Sequence, residues 1–541
     1  MSRVLVRRAC NTMLPVHRLP PEILTRIFYY APESSIPRDK VIWIPTIFRM
    51  KDVIVLAAVC RHWRDVVIGA AILWSSVNRP VASGGHMKRS SGVGLNCQLS
   101  KELGDNNMLR LTEFLTNNGR RIRELHVMGP DRSPPLSFPL HEAQFDAKKL
   151  EVVSLIGSST TPGLFEAPVL NLHRLVISNS ESKLPTGQLA QLTQLCLSKI
   201  ETIHITEVLE LLSRAPSLQD VHLVDSLRKD EEDGLYRENI PLRNLRRLSI
   251  RENDPVPIFS LLSYLLLEPS TALRIRYGYS RACQLSTSKL PSSLFPISEP
   301  ILRISIIRRG ISLKFIGASP TSGIRLEWLI TYREDAHLPS SIYAQLFPGA
   351  NPHQVSLIWA DSYSKSLPSG LVRALPESVT TLVTSTAYLE FLMSEFEVED
   401  PTGHVPCHNL STIHVLIDRQ RSRVDLALSK ICPFMTTIAG QRAKLGCPLE
   451  RIVLTSFNNE DGEKLKLAGI NALKRAVKIV EHEAYSELPI MEMPPICTAG
   501  DGTWWPSWTD QWRDAGPDVL ADWAHSDFSL YSDEESNPDS D

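Results

Sequence analysis

A pattern of the type Leu-x-x-Leu-x-Leu recurs along most of this chain and narrows its possible folds more than any other feature. It stands at Ile122/Leu125/Val127, Leu172/Leu175/Ile177, Leu192/Leu195/Leu197, Leu218/Val221/Leu223 and Leu245/Leu248/Ile250. It continues at Ile301/Ile304/Ile306, Leu410/Ile413/Val415 and Leu449/Ile452/Leu454, with weaker copies from Leu150, Leu273, Leu326, Val355 and Val379. Successive side chains of a strand point to opposite faces, so each copy sends its apolar residues to one side. Most steps between copies fall in the twenties, and amphipathic segments such as 205–215 and 258–267 lie between them as predicted helices. A unit this small has an apolar face that only its neighbours can cover. The pattern therefore predicts an α/β solenoid over residues 92–482, a stack that curves into a horseshoe. An α/β domain with the same alternation but no solenoid is the competing architecture. A predicted helix over 464–480, with Leu465, Leu467, Ile470, Leu473, Ala476, Val477 and Val480 inward, closes the stack.

The first 78 residues follow a helical periodicity instead. After a flexible stretch (1–14), Pro20 and Pro21 suit a first helical turn, and Glu22 favours the positive end of the helix dipole. Ile23, Leu24, Ile27 and Phe28 then make one apolar stripe, and Pro32 prevents the helix from running past Ala31. The β-branched run Val53–Val59 reads as a strand in isolation. Val59, Trp63, Val66, Val67 and Ala70 follow at helical spacing and favour helix. Three short helices over 15–78 need one another's apolar faces for stability.

Taken in order, Leu19-Pro20-x-Glu22-Ile23-Leu24-x-x-Ile27-Phe28, Val59-Cys60-Arg61-x-Trp63-Arg64 and Leu73-Trp74 resemble the F-box, in the form abundant in mushroom-forming fungi. The resemblance implies docking onto a Skp-family adaptor and, through it, a cullin and a RING subunit. The chain is then expected to be the substrate receptor of an SCF-type ubiquitin ligase, a non-catalytic subunit that selects proteins for degradation. Carried over by position, the adaptor-facing residues are Leu19, Pro20, Ile23, Leu24, Ile27, Phe28, Leu56, Val59, Cys60 and Trp63. The later array resembles the divergent leucine-rich repeats of F-box receptors. The Asn or Cys that usually follows the strand is mostly absent, with Ser180 and Ile200 in equivalent places, so the array is expected to be irregular. The connection 34–48 is longer than usual and carries Pro37, Trp43 and Pro45; it is expected to pack over the module and partly cover the adaptor face. The other reading is a repeat scaffold outside any ligase, whose N-terminal helices are only a structural cap.

Reactive chemistry is sparse. No Gly-x-x-x-x-Gly-Lys-Ser/Thr loop occurs, and Ser486 stands where a zinc-binding helix beginning at His482-Glu483 needs its second His. His126, His222 and His414 fall inside predicted strands and are read as strand-surface residues, and Cys60, Cys196 and Cys432 as small core residues. No cofactor, metal or nucleic acid is expected. Nine cysteines without a C-x-x-C pair fit reduced thiols in cytosol or nucleus. Arg3, Arg7 and Arg8 lead into no secretory apolar stretch, and no apolar run reaches a membrane span.

Residues 483–541 read as a linker and an acidic tail. From Asp501 the tail holds eleven acidic residues against Arg513, a net −10; with −2 for the whole chain, the first 500 residues carry +8. Five of the ten tryptophans also lie there, which a purely solvating tail would lack, so 504–512 is expected to dock and 532–541 to be disordered. On the expected concave face, Arg247, Arg274 and Arg303 take equivalent positions, with Arg251 and Arg276 beside them. They are candidate contacts to an acidic or phosphorylated target. A solvated arginine surface is the plainer alternative.

Overall fold

The structure is a computed structural model. It describes residues 13–36, 47–78, 84–100, 113–129, 136–137, 148–159, 169–179, 184–200, 203–228, 239–278, 303–309, 312–329, 352–359, 372–373, 375–397, 406–417, 421–456, 470–484, 493–499, 505 and 508. Helices and largely parallel strands give it mixed α/β content. The described residues form two compact units, one drawn mainly from residues up to 298 and the other mainly from 299 onward.

The first unit opens with α1 (Pro21–Tyr30), α2 (Met50–Val59) and α3 (Arg61–Gly69), followed by a 3-10 turn at Ala71–Trp74. Ser76–Val77 then pairs in parallel with Asn96–Cys97, so the helical module runs directly into a sheet. The strands of that sheet are β1 (Leu95–Ser100), β2 (Ile122–Met128), β3 (Val152–Ile156), β4 (Arg174–Ser178), β5 (Gln194–Ser198), β6 (Asp220–Val224), β7 (Arg247–Glu252) and β8 (Ala272–Gly278). Each pairs in parallel with the next in chain order.

The repeated leucines set the register. Leu125, Val153, Leu175, Leu195, Val221, Leu248 and Leu273 align as one ladder, and Val127, Leu155, Ile177, Leu197, Leu223, Ile250 and Ile275 as a second. Both ladders are buried, and a slip of one residue would turn every member to the opposite face. After β3 to β6 the chain exits through left-handed Gly157, Asn179, Lys199 and Asp225 (φ 47 to 61°). Each donates its N–H to a carbonyl at the end of the next strand. Asn171 and Asn244 donate side-chain N–H groups to the carbonyls of Lys148 and Pro216, tying each incoming turn to the one before. Helix α4 (Ile205–Ser213) lies within the predicted 205–215. The predicted 258–267 is divided between α5 (Pro255–Ser263) and a short strand, Leu265–Leu267, which pairs with Ile240–Leu242.

The second unit departs from simple succession. β9 (Arg303–Arg309) forms an antiparallel hairpin with β10 (Ser312–Ala318), while its other edge pairs in parallel with β11 (Gln354–Trp359). From β11 the parallel order resumes through β12 (Thr381–Ser385), β13 (Thr412–Leu416), β14 (Arg451–Ser456) and β15 (Ile479–Ala484). The copy at Leu326 is a strand, Gly323–Leu329, whose residues are divided between the two units. Within the predicted 464–480 only Ile470–Ala476 is described as helix, and Val480 belongs to β15. The run Ile479-Val480-Glu481-His482-Glu483-Ala484 lacks the apolar spacing of a helix and instead adds an edge strand, two residues beyond the expected boundary of the array. Arg442 is fully buried, its guanidinium donating to the carbonyls of Pro406, Cys407 and Leu410. Trp505 and Trp508 are also fully buried, which meets the docking expectation for this part of the tail; 532–541 lies outside the described residues. A Cβ on Gly323 would stand 2.9 Å from the Trp508 ring, so this glycine is a packing requirement. Among the described residues no helix is long and apolar enough to cross a membrane.

Candidate functional site

The helical module buries one face and leaves another apolar face open. Pro20 accepts the first N–H groups of α1, from Ile23 and Leu24, and Cys60 caps α3 by accepting the Trp63 N–H at 3.4 Å. Cys60 is thus a half-buried cap rather than a core residue. Leu24, Phe28, Phe48, Val53, Val66, Val67, Leu73 and Trp74 form the core, with the Phe28 and Trp63 rings 4.7 Å apart. The Trp74 indole N–H donates to the Val67 carbonyl.

This packing divides the ten sequence-chosen residues. Leu24 and Phe28 face inward and form no outer surface; Leu19, Leu56, Cys60 and Trp63 are half-buried; Pro20, Ile23, Ile27 and Val59 are exposed. The inward pair is corrected by the wheel of α1, on which 24 and 28 share one side and 23 and 27 the other. Ile54 (52% exposed) and Val55 (62%) were missed, although α2 carries apolar residues around its whole circumference. That signal marks a helix with apolar demands on two sides, only one of which this chain satisfies. It also explains why the run resembles a strand.

The described ends of the connection between α1 and α2 reach both the module, through Phe48, and the sheet. These ends, Ser34–Ile36 and Ile47–Arg49, form an antiparallel bridge at Ser34 and Phe48 that lies on the sheet. Ile36 and Ile47 are buried against Val152, Ile156, Val176 and Cys196 of β3, β4 and β5. These sheet residues alternate with the leucine ladders, so they occupy the opposite, front face. The Ser35 hydroxyl meets Gln98 of β1 at 2.7 Å. Tyr29 of α1 lies near enough to Glu124 and Arg123 of β2 for their charges to act on its phenol, which burial already pushes up. The residues 37–46, which include Trp43, lie outside the described set.

Beyond β5 the front face becomes ionic. Arg247 binds Asp220 across the strand pair at 2.5 Å. Burial pushes the Asp220 carboxyl up, but the hydrogen bond and charge of Arg247 outweigh it and its pKa lies below the ordinary value. Arg251 stands 3.9 Å from Asp225. Arg247 and Arg274, expected at equivalent positions, are not in register. Leu248 aligns with Leu273 and Ile250 with Ile275, which sets Arg247 opposite Ala272, Arg274 opposite Ser249, and Arg251 opposite Arg276. Arg303 belongs to the second unit, where it aligns with Ala318 and Gln354.

The three strand histidines face as expected but are covered. His126 is fully buried, 3.5 Å from Glu124; His222 is buried, and burial holds its imidazole down at about 3. His414 is part-buried beside Thr455, and burial lowers its pKa too. Burial also pushes up the Cys196 and Cys432 thiols, as befits core residues. An open polar groove of about 370 Å³ runs across the strand entries, lined by His173, Gln191, Thr193, Ser217, Gln219 and Asn244. Among the described residues no cluster of His, Cys, Asp and Glu has the makings of a metal site.

Comparison with protein families places these helices. The family model described as F-box-like matches residues 16–80, the segment that folds as the three-helix module and its 3-10 turn. No curated protein matches the chain.

Proposed function

We propose that this chain is a substrate receptor of an SCF-type cullin–RING ubiquitin ligase. In this reading the helical module binds the Skp-family adaptor and the strand array holds a target protein, with no bond chemistry of the chain's own. The observation that carries it is the coincidence of the F-box-like match with a module whose second apolar face, Ile23, Ile27, Ile54, Val55 and Val59, is uncovered. Several large apolar side chains left exposed on one small module mark an interaction surface. We read the array, with its ladders, left-handed exits and asparagine-tied turns, as an irregular leucine-rich repeat. A non-ligase scaffold draws support from the clamp of Ile36 and Ile47, which gives the module a structural attachment to the sheet.

Co-purification with the adaptor separates the two. Val55→Asp leaves the module core intact and should abolish adaptor capture while thermal unfolding stays unchanged, because an unpaired charge at a buried interface costs several kcal/mol. Leu24→Asp is unsuitable, since it places the charge in the module's own core. Equal adaptor recovery with wild type and Val55→Asp, or none with either, removes the ligase reading.

A further inference from the structure

The second unit buries a cation among neutral groups. Arg442, near the end of the helix Arg421–Lys444, is fully buried, and its guanidinium donates to the carbonyls of Pro406, Cys407, His408 and Leu410 at 3.0 to 3.3 Å. It lies 5.3 Å from the centre of the Phe396 ring, and its Nε has no hydrogen-bond partner among the described residues. Burial lowers its pKa, while Cys407 and Cys447 stand near enough for negative charge on either sulfur to favour the cation. The two thiols differ. Cys407 is 2% exposed and donates to the Val372 carbonyl, and burial pushes it up to about 12. Cys447 is 6% exposed, and its Sγ lies 3.1 Å from Nδ1 of His408, an exposed residue. The Leu445 carbonyl stands 3.5 Å from the same sulfur. Residues 443–446 and Pro448 are exposed, and a Cβ on Gly446 would meet nothing within 4 Å, so the turn that carries Cys447 is open to water.

We infer that Cys447 is a reactive thiol, with His408 as its base, and that it is a site of oxidation by small hydroperoxides. The inference does not depend on the ligase reading. A thiolate is the attacking species, and a neighbouring His and Arg favour it. Here the imidazole nitrogen is within proton-transfer reach of the sulfur, and the buried guanidinium supplies positive charge whose hydrogen-bond acceptors are all neutral carbonyls. The negative end of the helix opposes an anion at this place. Its carbonyls at Gln441, Arg442 and Ala443 accept the N–H groups of Leu445, Cys447 and Gly446, which reduces that opposition. In the reaction Nδ1 takes the thiol proton while sulfur bonds to the nearer peroxide oxygen and the O–O bond breaks. The departing oxygen takes the proton from His408 and leaves as water or an alcohol. Sulfur is oxidised to a sulfenic acid, and the peroxide is reduced.

The test treats the reduced full chain with hydrogen peroxide, traps sulfenic acid with dimedone and reads each cysteine-containing peptide by mass spectrometry. Cys447 should be trapped at least about tenfold faster than Cys407 and Cys432, two more deeply buried thiols of the same unit. His408→Gln should slow trapping at Cys447 by at least about tenfold, below the usual range of base assistance, and should change the shape of its pH profile. A packing role alone would shift the rate by the same factor at every pH. His408 is exposed, so thermal unfolding of this variant should match wild type; His408→Asn takes its place if it does not. Equal rates at Cys447, Cys407 and Cys432, an unchanged rate in the folded His408 variant, or a uniform change across pH overturns the inference.

Discussion

The two halves of the front face share one backbone plan and differ in what covers them. β3 to β5 and β6 to β8 continue the same two leucine ladders in the same register. On the other side, Val152, Ile156, Val176 and Cys196 meet two isoleucines from the helical module, while Asp220, Arg247, Arg251, Arg274 and Arg276 form an ionic surface. The ladders fix where each strand lies and leave the alternate positions free to vary. In this protein that freedom yields a closed apolar joint beside an ionic surface.

The largest effect should come from the joint. Ile47→Ala removes a fully buried side chain from a packed cluster and should cost about 3 to 4 kcal/mol of unfolding free energy in urea, as large-to-small core changes do. A loss near zero would mean that the module and sheet are not joined through this contact.

Glu252, at the end of β7, provides a second and smaller effect. It accepts the N–H groups of Ser226 and Leu227, yet burial pushes its carboxyl up to about 7, helped by Asp225 and opposed by Arg251. A raised acid binds its proton more tightly in the folded chain. Its stability contribution is therefore complete below the unfolded value near 4.5 and is lost as pH rises to 7. Glu252→Gln should match wild type near pH 4.5 and exceed it at pH 8 by about 2 to 3 kcal/mol. Parallel stability curves for the two proteins would contradict the burial argument.

The two arginines of β7 should then differ. Arg247→Ala leaves Asp220 buried without its main partner and should cost about 2 kcal/mol. It should also flatten the loss of stability as pH falls through the folded Asp220 pKa, because a depressed carboxyl stabilises only above that value. Arg251→Ala, at a longer and more exposed contact, should change stability by no more than about 0.5 kcal/mol. Equal costs for both would erase the distinction between a structural ion pair and surface charge.

Local pattern makes much of this legible. Pro20, Pro21 and Pro32 delimit α1, and the leucine spacing locates the strands of both ladders. The indole-rich start of the tail announces its own docking, realised in Trp505 and Trp508. The misplaced features depend on partners distant in sequence. Leu24 and Ile23 look alike in the sequence, and the packing of α2 and α3 decides which one is inside. The arginine positions are misread because a weaker copy, Leu273, offers too few apolar residues to fix its alignment; the pairing with Leu248 supplies it.

Sequence alone determined the elements, because helical and strand periodicities are local and alternating side chains leave no choice of apolar face. It also determined the helical module, whose matched region covers residues 16–80. Tertiary structure decided what covers each surface. The isoleucines that close the front of β3 to β5 come from a loop more than a hundred residues earlier, where burial removes their side chains from water. The aspartate that pairs with Arg247 is brought beside it by strand register, a relation absent from the order of residues along the chain.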